Sequence, residues 1–145
     1  MVNFLLYNMT IDNSSLRLHD VFFYGLYMDP AILLQKGVQP RNPRQARVDG
    51  YVLCIGNKAT LLRAQGQSAY GMVYALTHEE IYSLYWGAGL DEYRSEAVLL
   101  DVKNESITAL TCNLLNPPTK DESNAEYVLK LKSVMGKLNV PLTFE

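Results

Sequence analysis

Apolar and polar positions along this chain change their period several times, and each change marks an element. Val21 to Tyr24 is an unbroken apolar and aromatic run and reads as a strand. Gly25 permits a turn, and Asp29-Pro30 supplies an N-cap followed by a proline at the first helical position. A short helix from Asp29 to Lys36 follows, with Ile32, Leu33 and Leu34 toward the core and Gly37 as its C-terminal cap. After a loop through Pro40 and Pro43, apolar residues partly alternate from Gln45 to Leu62. Gly56-Asn57 interrupts them, which predicts two antiparallel strands joined as a hairpin. Ala64 to Ser68, rich in glutamine and glycine, reads as a turn, and Tyr70 to Leu76 as another strand.

Thr77 with Glu80 three residues later forms a capping box that opens a helix through Ile81, Leu84 and Tyr85, and Trp86-Gly87-Ala88-Gly89 ends it. Tyr93 to Val102 and Ser106 to Leu115 read as antiparallel partners about a Lys103-Asn104-Glu105 turn, and Pro117-Pro118 breaks the sheet. A final helix starts near Ser123 or Asn124. Tyr127, Val128, Leu131, Val134, Met135 and Leu138 recur along it at helical spacing as one apolar stripe, which reads as core packing. Many strands with three short helices predict an α+β domain around a curved, mostly antiparallel sheet or small barrel. The expected division is an N-terminal arm over 1–18 and a single domain over 19–145. The arm is too apolar, at Phe4, Leu5, Leu6, Tyr7, Ile11 and Leu16, for a fully solvated tail, and a loose arm, an edge strand and a partner-covering segment all remain open.

A chain of 145 residues with 48% hydrophobic content has enough apolar surface for one core and not for two comfortable domains. Its 13 basic and 15 acidic residues are intermixed, without a polybasic stripe, so no nucleic-acid partner is expected. Cys54 and Cys112 sit in separate apolar runs with no CxxC pair, which predicts reduced thiols, no metal and no cofactor. The beginning of the chain lacks the pattern of an export signal and nothing has the length of a membrane span, so the expected setting is cytoplasmic, with no membrane partner. Against that setting, the glycosylation tripeptides at Asn8 and Asn13 carry little meaning. Any of the ten tyrosines that become buried need hydrogen-bond partners.

The junction after the first strand leaves backbone N–H groups unpaired, and such donors suit a carboxylate or another anion. Tyr24, Gly25, Leu26, Tyr27 and Met28 are therefore the candidate floor of a small-molecule pocket, although the same residues also serve as a plain strand-to-helix connection. His19 and His78 stand isolated, without a serine or cysteine partner at a recognisable spacing, so a hydrolase triad has no support. Trp86 reads as a plug for the barrel.

Four motifs in order resemble the gamma-glutamylcyclotransferase-like superfamily, over about Val21 to Leu115. Tyr24-Gly25-Leu26-Tyr27-Met28 is similar to its tyrosine-glycine-serine-leucine-methionine loop, and Ala46-Arg47-Val48-Asp49-Gly50-Tyr51 to its alanine-x-leucine-x-glycine-tyrosine strand. Tyr70 to Leu76 resembles its glycine-containing strand before a short helix, and Tyr93-Arg94-Ser95-Glu96-Ala97-Val98 its tyrosine-arginine-arginine-glutamate-x-valine strand. The resemblance implies a small mixed barrel with a ligand cavity at its mouth. It also implies cyclisation of gamma-glutamyl compounds to 5-oxoproline, with loop amides on the α-carboxylate and a glutamate base taking a proton from the α-ammonium.

At that base the chain departs from the pattern. A register anchored on Tyr93-Arg94-Ser95-Glu96 puts Ala88-Gly89 where the family has glutamate-glycine, and a second register through Leu90-Asp91 puts Arg94 there. Glu92 and Glu96, and less so Asp91, are the candidate substitutes. Leu26 also replaces a hydroxyl residue of the family loop while leaving the backbone donors intact. Two readings follow: a protein that binds a small gamma-glutamyl-type carboxylate and cyclises it, or a catalytically inactive homologue acting as a binding or assembly module. Whether it forms a homo-oligomer, and which amine would leave, the sequence does not settle.

Overall fold

The computed structural model describes residues 14–143. The expectations placed on Met1 to Asn13, including the tripeptides at Asn8 and Asn13, lie outside the described residues.

Five strands close into a barrel: β1 (His19–Phe23), β2 (Arg41–Ile55), β3 (Ala59–Leu76), β4 (Tyr93–Val102) and β5 (Glu105–Leu114), in the order β1-β3-β2-β4-β5. Four of the five neighbour pairs are antiparallel. The barrel is completed by a parallel contact between β1 and β5, in register at Val21 and Leu110. This is the small, mostly antiparallel barrel that the residue patterns predict, and its parallel pair gives the mixed barrel that the family resemblance implies. Side chains reinforce its closure, because the Thr111 hydroxyl donates to the Phe22 carbonyl at 2.9 Å and the Tyr24 hydroxyl to the Cys112 carbonyl at 2.5 Å. Phe22, Phe23, Tyr74, Leu76 and Leu100 fill the core, each worth roughly 1.5–3 kcal/mol of burial.

Among the described residues three α-helices accompany the barrel: α1 (Pro30–Gln35), α2 (His78–Leu84) and α3 (Ala125–Leu138). Short 3-10 turns cover Leu26–Met28 and Trp86–Ala88. The capping residues read from the sequence make the bonds that such residues favour. The Asp29 carboxylate accepts the Ala31 N–H at 3.0 Å and also meets Lys137 Nζ at 2.8 Å, which ties α3 to the start of α1. At the other end Gly37 takes a left-handed φ of 77°, and the Val38 N–H reaches the Leu33 carbonyl. Asp29→Ala is expected to lower stability by about 2 kcal/mol in urea unfolding, and Asp29→Asn, which keeps a capping oxygen, by less.

Glu80 joins two elements. Its carboxylate accepts the Thr77 N–H at 2.9 Å, completing the capping box, and also holds Arg41 Nη1 and the Gln39 N–H at 2.8 Å each. Burial pushes this carboxyl up, but the Arg41 guanidinium and the Gln39 and Thr77 amides outweigh it and hold it below the usual glutamate range. A carboxyl depressed in the folded state contributes stability that is present above its unfolded pKa and is lost as pH falls through the folded one. The stability gap between the wild type and Glu80→Gln is therefore expected to shrink on acidification from about pH 6 to about pH 3, followed by urea midpoints.

Two predicted loops prove to be strand. Ala64 to Ser68 does not turn the chain back, because β3 continues through it. Asp49 pairs with Ser68 and Tyr51 with Arg63, so Gly50 alone stands opposite Ala64 to Gln67 and the excess is absorbed as a bulge. Gly50 and Gly66 supply the positive φ values, 84° and 80°, that this bulge requires. The loop expected through Pro43 is likewise the start of β2, where the register shifts between Arg41 and Arg44 and no ladder bond is asked of a residue lacking N–H.

Candidate functional site

Where β1 ends, the chain passes through Gly25 in an extended conformation and tightens at once into the 3-10 turn Leu26–Met28. The turn closes through the Met28 N–H on the Gly25 carbonyl at 3.0 Å and the Asp29 N–H on the Leu26 carbonyl at 3.1 Å. The Leu26 N–H donates to the Tyr127 hydroxyl of α3 at 3.2 Å. Among the described residues the Gly25 and Tyr27 amides meet no acceptor. A Cβ at position 25 would lie 2.4 Å from the Tyr127 oxygen, so glycine is what lets α3 lay a phenol across the loop.

This loop borders a cavity of about 260 Å³. Phe23, Tyr24, Gly25, Leu26 and Tyr27 line one side, and Asn57, Lys58, Ala59, Tyr85, Leu90, Tyr93 and Tyr127 the rest. The phenols that were expected to need partners mostly find carbonyls. Tyr27 donates to Leu84 at 2.7 Å and Tyr93 to Ala59 at 2.6 Å, alongside the Tyr24 bond to Cys112. Burial pushes the pKa values of Tyr24, Tyr85, Tyr93 and Tyr127 above the ordinary tyrosine range, and the Cys112 thiol up to about 12. At neutral pH these groups keep their protons. None can take one from a substrate ammonium, and Cys112 supplies no thiolate.

Lys58, in the turn between β2 and β3, is the single charged side chain among the described residues of the lining. Its Nζ lies 2.6 Å from Glu92 Oε1. The cavity is therefore walled by aromatic rings and the backbone around Gly25, with one cation, a set that suits a small anion with an apolar body.

The sequence-derived site residues separate into two groups. Tyr24, Gly25, Leu26 and Tyr27 come together on the cavity wall, whereas Met28 is fully buried beneath it, its carbonyl accepting the Tyr74 hydroxyl at 2.7 Å. Ala88 is exposed in the turn Trp86–Ala88 and outside the lining. Glu92 is an exposed partner of Lys58, and Glu96, exposed on β4, accepts from Asn113 Nδ2 at 3.2 Å. No carboxylate belongs to the described lining. Trp86 sits half-buried, its indole N–H donating to the Tyr93 carbonyl at 3.1 Å. Of the residues that sequence reasoning did not place in the site, Tyr127 carried a signal, a polar tip on an otherwise aliphatic stripe, and Lys58 carried none. No group of His, Cys, Asp and Glu among the described residues has the makings of a metal site, and no described helix is long and apolar enough to cross a membrane.

No protein-family model matches this chain, and no curated protein matches its sequence. Solved structures do match. YkqA from Bacillus subtilis superposes with a TM-score of 0.71 at 21% identity, over 83% of this chain and 49% of YkqA, so the chain spans about half the length of that protein. A gamma-glutamyl cyclotransferase superposes with a TM-score of 0.72 at 19% identity, over 86% of this chain and 82% of that one. An AIG2-like protein from Mus musculus gives 0.55 at 15% identity, over 76% and 90%.

Proposed function

We propose that this chain, which has the gamma-glutamylcyclotransferase-like fold, binds a small gamma-glutamyl-type carboxylate in the cavity beside Gly25 and does not turn it over. The observation that supports this reading is the composition of the described lining: hydrogen-bond donors and one cation, with no carboxylate among them. Loop amides at Gly25 and Tyr27 and the Lys58 ammonium favour an anionic head. Cyclisation needs the α-ammonium of the same ligand to lose a proton before its nitrogen can attack the γ-carbonyl, with the amine as leaving group. The aromatic walls hold their protons too tightly to accept another, and Ala88, at the position the family resemblance assigns to the base, carries a methyl group on an exposed turn.

The expected result is saturable binding of 5-oxoproline and of gamma-glutamyl amines by calorimetry, with no 5-oxoproline released from the amines. Release that disappears in Glu92→Gln or Glu96→Gln would overturn the non-catalytic half of the reading and assign a relocated base. Failure of both ligands to bind would overturn the binding half.

A further inference from the structure

A second hollow, of about 430 Å³, lies at the other end of β2 from the cavity and shares no lining residue with it. The strand register builds it. Arg47 of β2 stands opposite Tyr70 of β3 on one side and Asp101 of β4 on the other, and residues paired in this way share a face of the sheet. With a period of two, Gln45 continues that face along β2 and Lys103 carries it past the end of β4. The Gln45 Nε2 donates to the Asn139 carbonyl at 3.0 Å, so the segment that leaves α3 forms one wall, with Pro141 in it.

Three cations and one carboxylate line this hollow, and most of their bonds are internal. Arg44 Nη2 is held by Asp20 at 2.5 Å. The Asp101 Oδ1 accepts the Asn104 N–H at 3.1 Å, and its Oδ2 lies 3.5 Å from Arg47 Nη2. Arg47 gives Nε and Nη2 to Asp49, at 2.8 and 3.3 Å, which fixes the guanidinium and leaves the two N–H donors of Nη1. Among the described residues no group bonds to that Nη1, to the Lys103 ammonium or to the Tyr70 hydroxyl. Lys103 is also held at a φ of 51°, followed by Asn104 at 68°, in a turn whose first position ordinarily takes Asn, Asp or Gly. An unpaired cation thus stands where the backbone disfavours it, as a ligand contact would require.

We propose that this hollow is a binding site, independent of the cavity, for a small phosphate monoester that carries a flat ring. A guanidinium edge, an ammonium and a phenol hydroxyl bring three kinds of donor to one space. A phosphoryl group has three oxygens to receive them, where a carboxylate has two. The Tyr70 ring, with Pro43, Val102 and Pro141, supplies apolar surface for the ligand's own ring. The volume lies within the roughly 300–1,000 Å³ usual for a small-molecule site.

The test titrates the full chain with phenyl phosphate and with inorganic phosphate, followed by backbone amide resonances. Phenyl phosphate is expected to bind saturably, about tenfold tighter or more than inorganic phosphate through its ring, and to shift the resonances of residues 101–104. Lys103→Asn removes the charge and installs a residue that accepts a positive φ. Stability is expected to hold or rise in this variant while phenyl phosphate binds about tenfold more weakly or worse, and Lys103→Arg, which keeps the charge, is expected to bind as the wild type does. Absence of saturable binding, shifts confined to residues 24–27, or undiminished affinity in Lys103→Asn would each overturn the site. Binding of 5-oxoproline in the cavity is expected to ignore Lys103→Asn, so the two readings stand or fall separately.

Discussion

Gly71→Ala is expected to cost about 3 kcal/mol or more and to leave little folded protein at physiological temperature. A Cβ built on Gly71 would lie 2.1 Å from the Phe23 carbonyl oxygen and 2.9 Å from Phe22 Cε1. The first of these is backbone, so no rotamer change relieves it. Gly71 lies opposite Ala46 on β2, and its neighbour Met72 pairs with Phe23 at the end of β1, so relief would have to come from separating strands. The gain from restricting the unfolded chain, about 0.4–1 kcal/mol for a glycine replaced by alanine, is too small to offset this. Urea unfolding followed by circular dichroism reads the loss. An unchanged midpoint would mean that the strands adapt with no penalty and that the close approach is incidental. The displaced carbonyl precedes Tyr24 and Gly25, so any folded fraction is also expected to bind ligand less tightly.

Lys58→Met is expected to weaken 5-oxoproline binding about 10- to 100-fold while leaving stability nearly unchanged. The substitution keeps an apolar stem in the wall and removes the one charge that the described lining offers a carboxylate, a contact worth about 1.5–3 kcal/mol. Stability is spared because the ion pair that is lost, Lys58 with Glu92, is exposed enough at 37% and 58% to be worth about 0–1 kcal/mol. Glu92→Gln gives the contrast. Without its carboxylate partner Lys58 is released toward the cavity, so binding is expected to hold or tighten, and titrations at low and high salt should show affinity falling with salt in the wild type and hardly at all in Lys58→Met. If Lys58→Met binds as well as the wild type, the anion is held by the loop amides alone.

The elements whose signals are local were legible in the chain. Asp29-Pro30, Gly37 and the Thr77–Glu80 box each act within a few residues and cap the helix end expected of them, and the last helix, expected to start near Ser123 or Asn124, is capped by Asn124. The Gly56-Asn57 interruption marks the tip of the long hairpin, and strands β4 and β5 lie within a residue of their predicted bounds. Gly66 misled because glycine marks bulges as readily as turns, and which of the two it makes depends on the partner strand, where Gly50 takes up the slack. The barrel's closing pair, Val21 with Leu110, joins residues with no local relation, so no periodicity encodes it.

The candidate site was legible in its backbone, which lies on the cavity wall, and obscure in its side chains. The loop from Tyr24 to Tyr27 could be found because an unpaired helix entry has a recognisable composition. Tyr127 was absorbed into the helical stripe, since spacing reports which face is covered and says nothing of what a hydroxyl at its edge will touch. Lys58 sits in a hairpin turn, where a charged residue is the ordinary solvated choice, and only the fold brings it beside the aromatic walls. Glu92 shows the converse. Its position near the missing base suggested chemistry, but the structure holds it against Lys58 and outside the cavity.

The contact between the first and last strands has a consequence for the order of assembly. Bringing Val21 to Leu110 closes the longest loop in the barrel, an entropic cost that nearby pairings such as the β2–β3 hairpin avoid, so this clasp is expected to fasten late in folding. The hollow beside Gly25 opens at the end of the same first strand. A molecule that bound there would favour the folded state and is expected to act as a pin through the clasp, slowing unfolding more than it speeds folding.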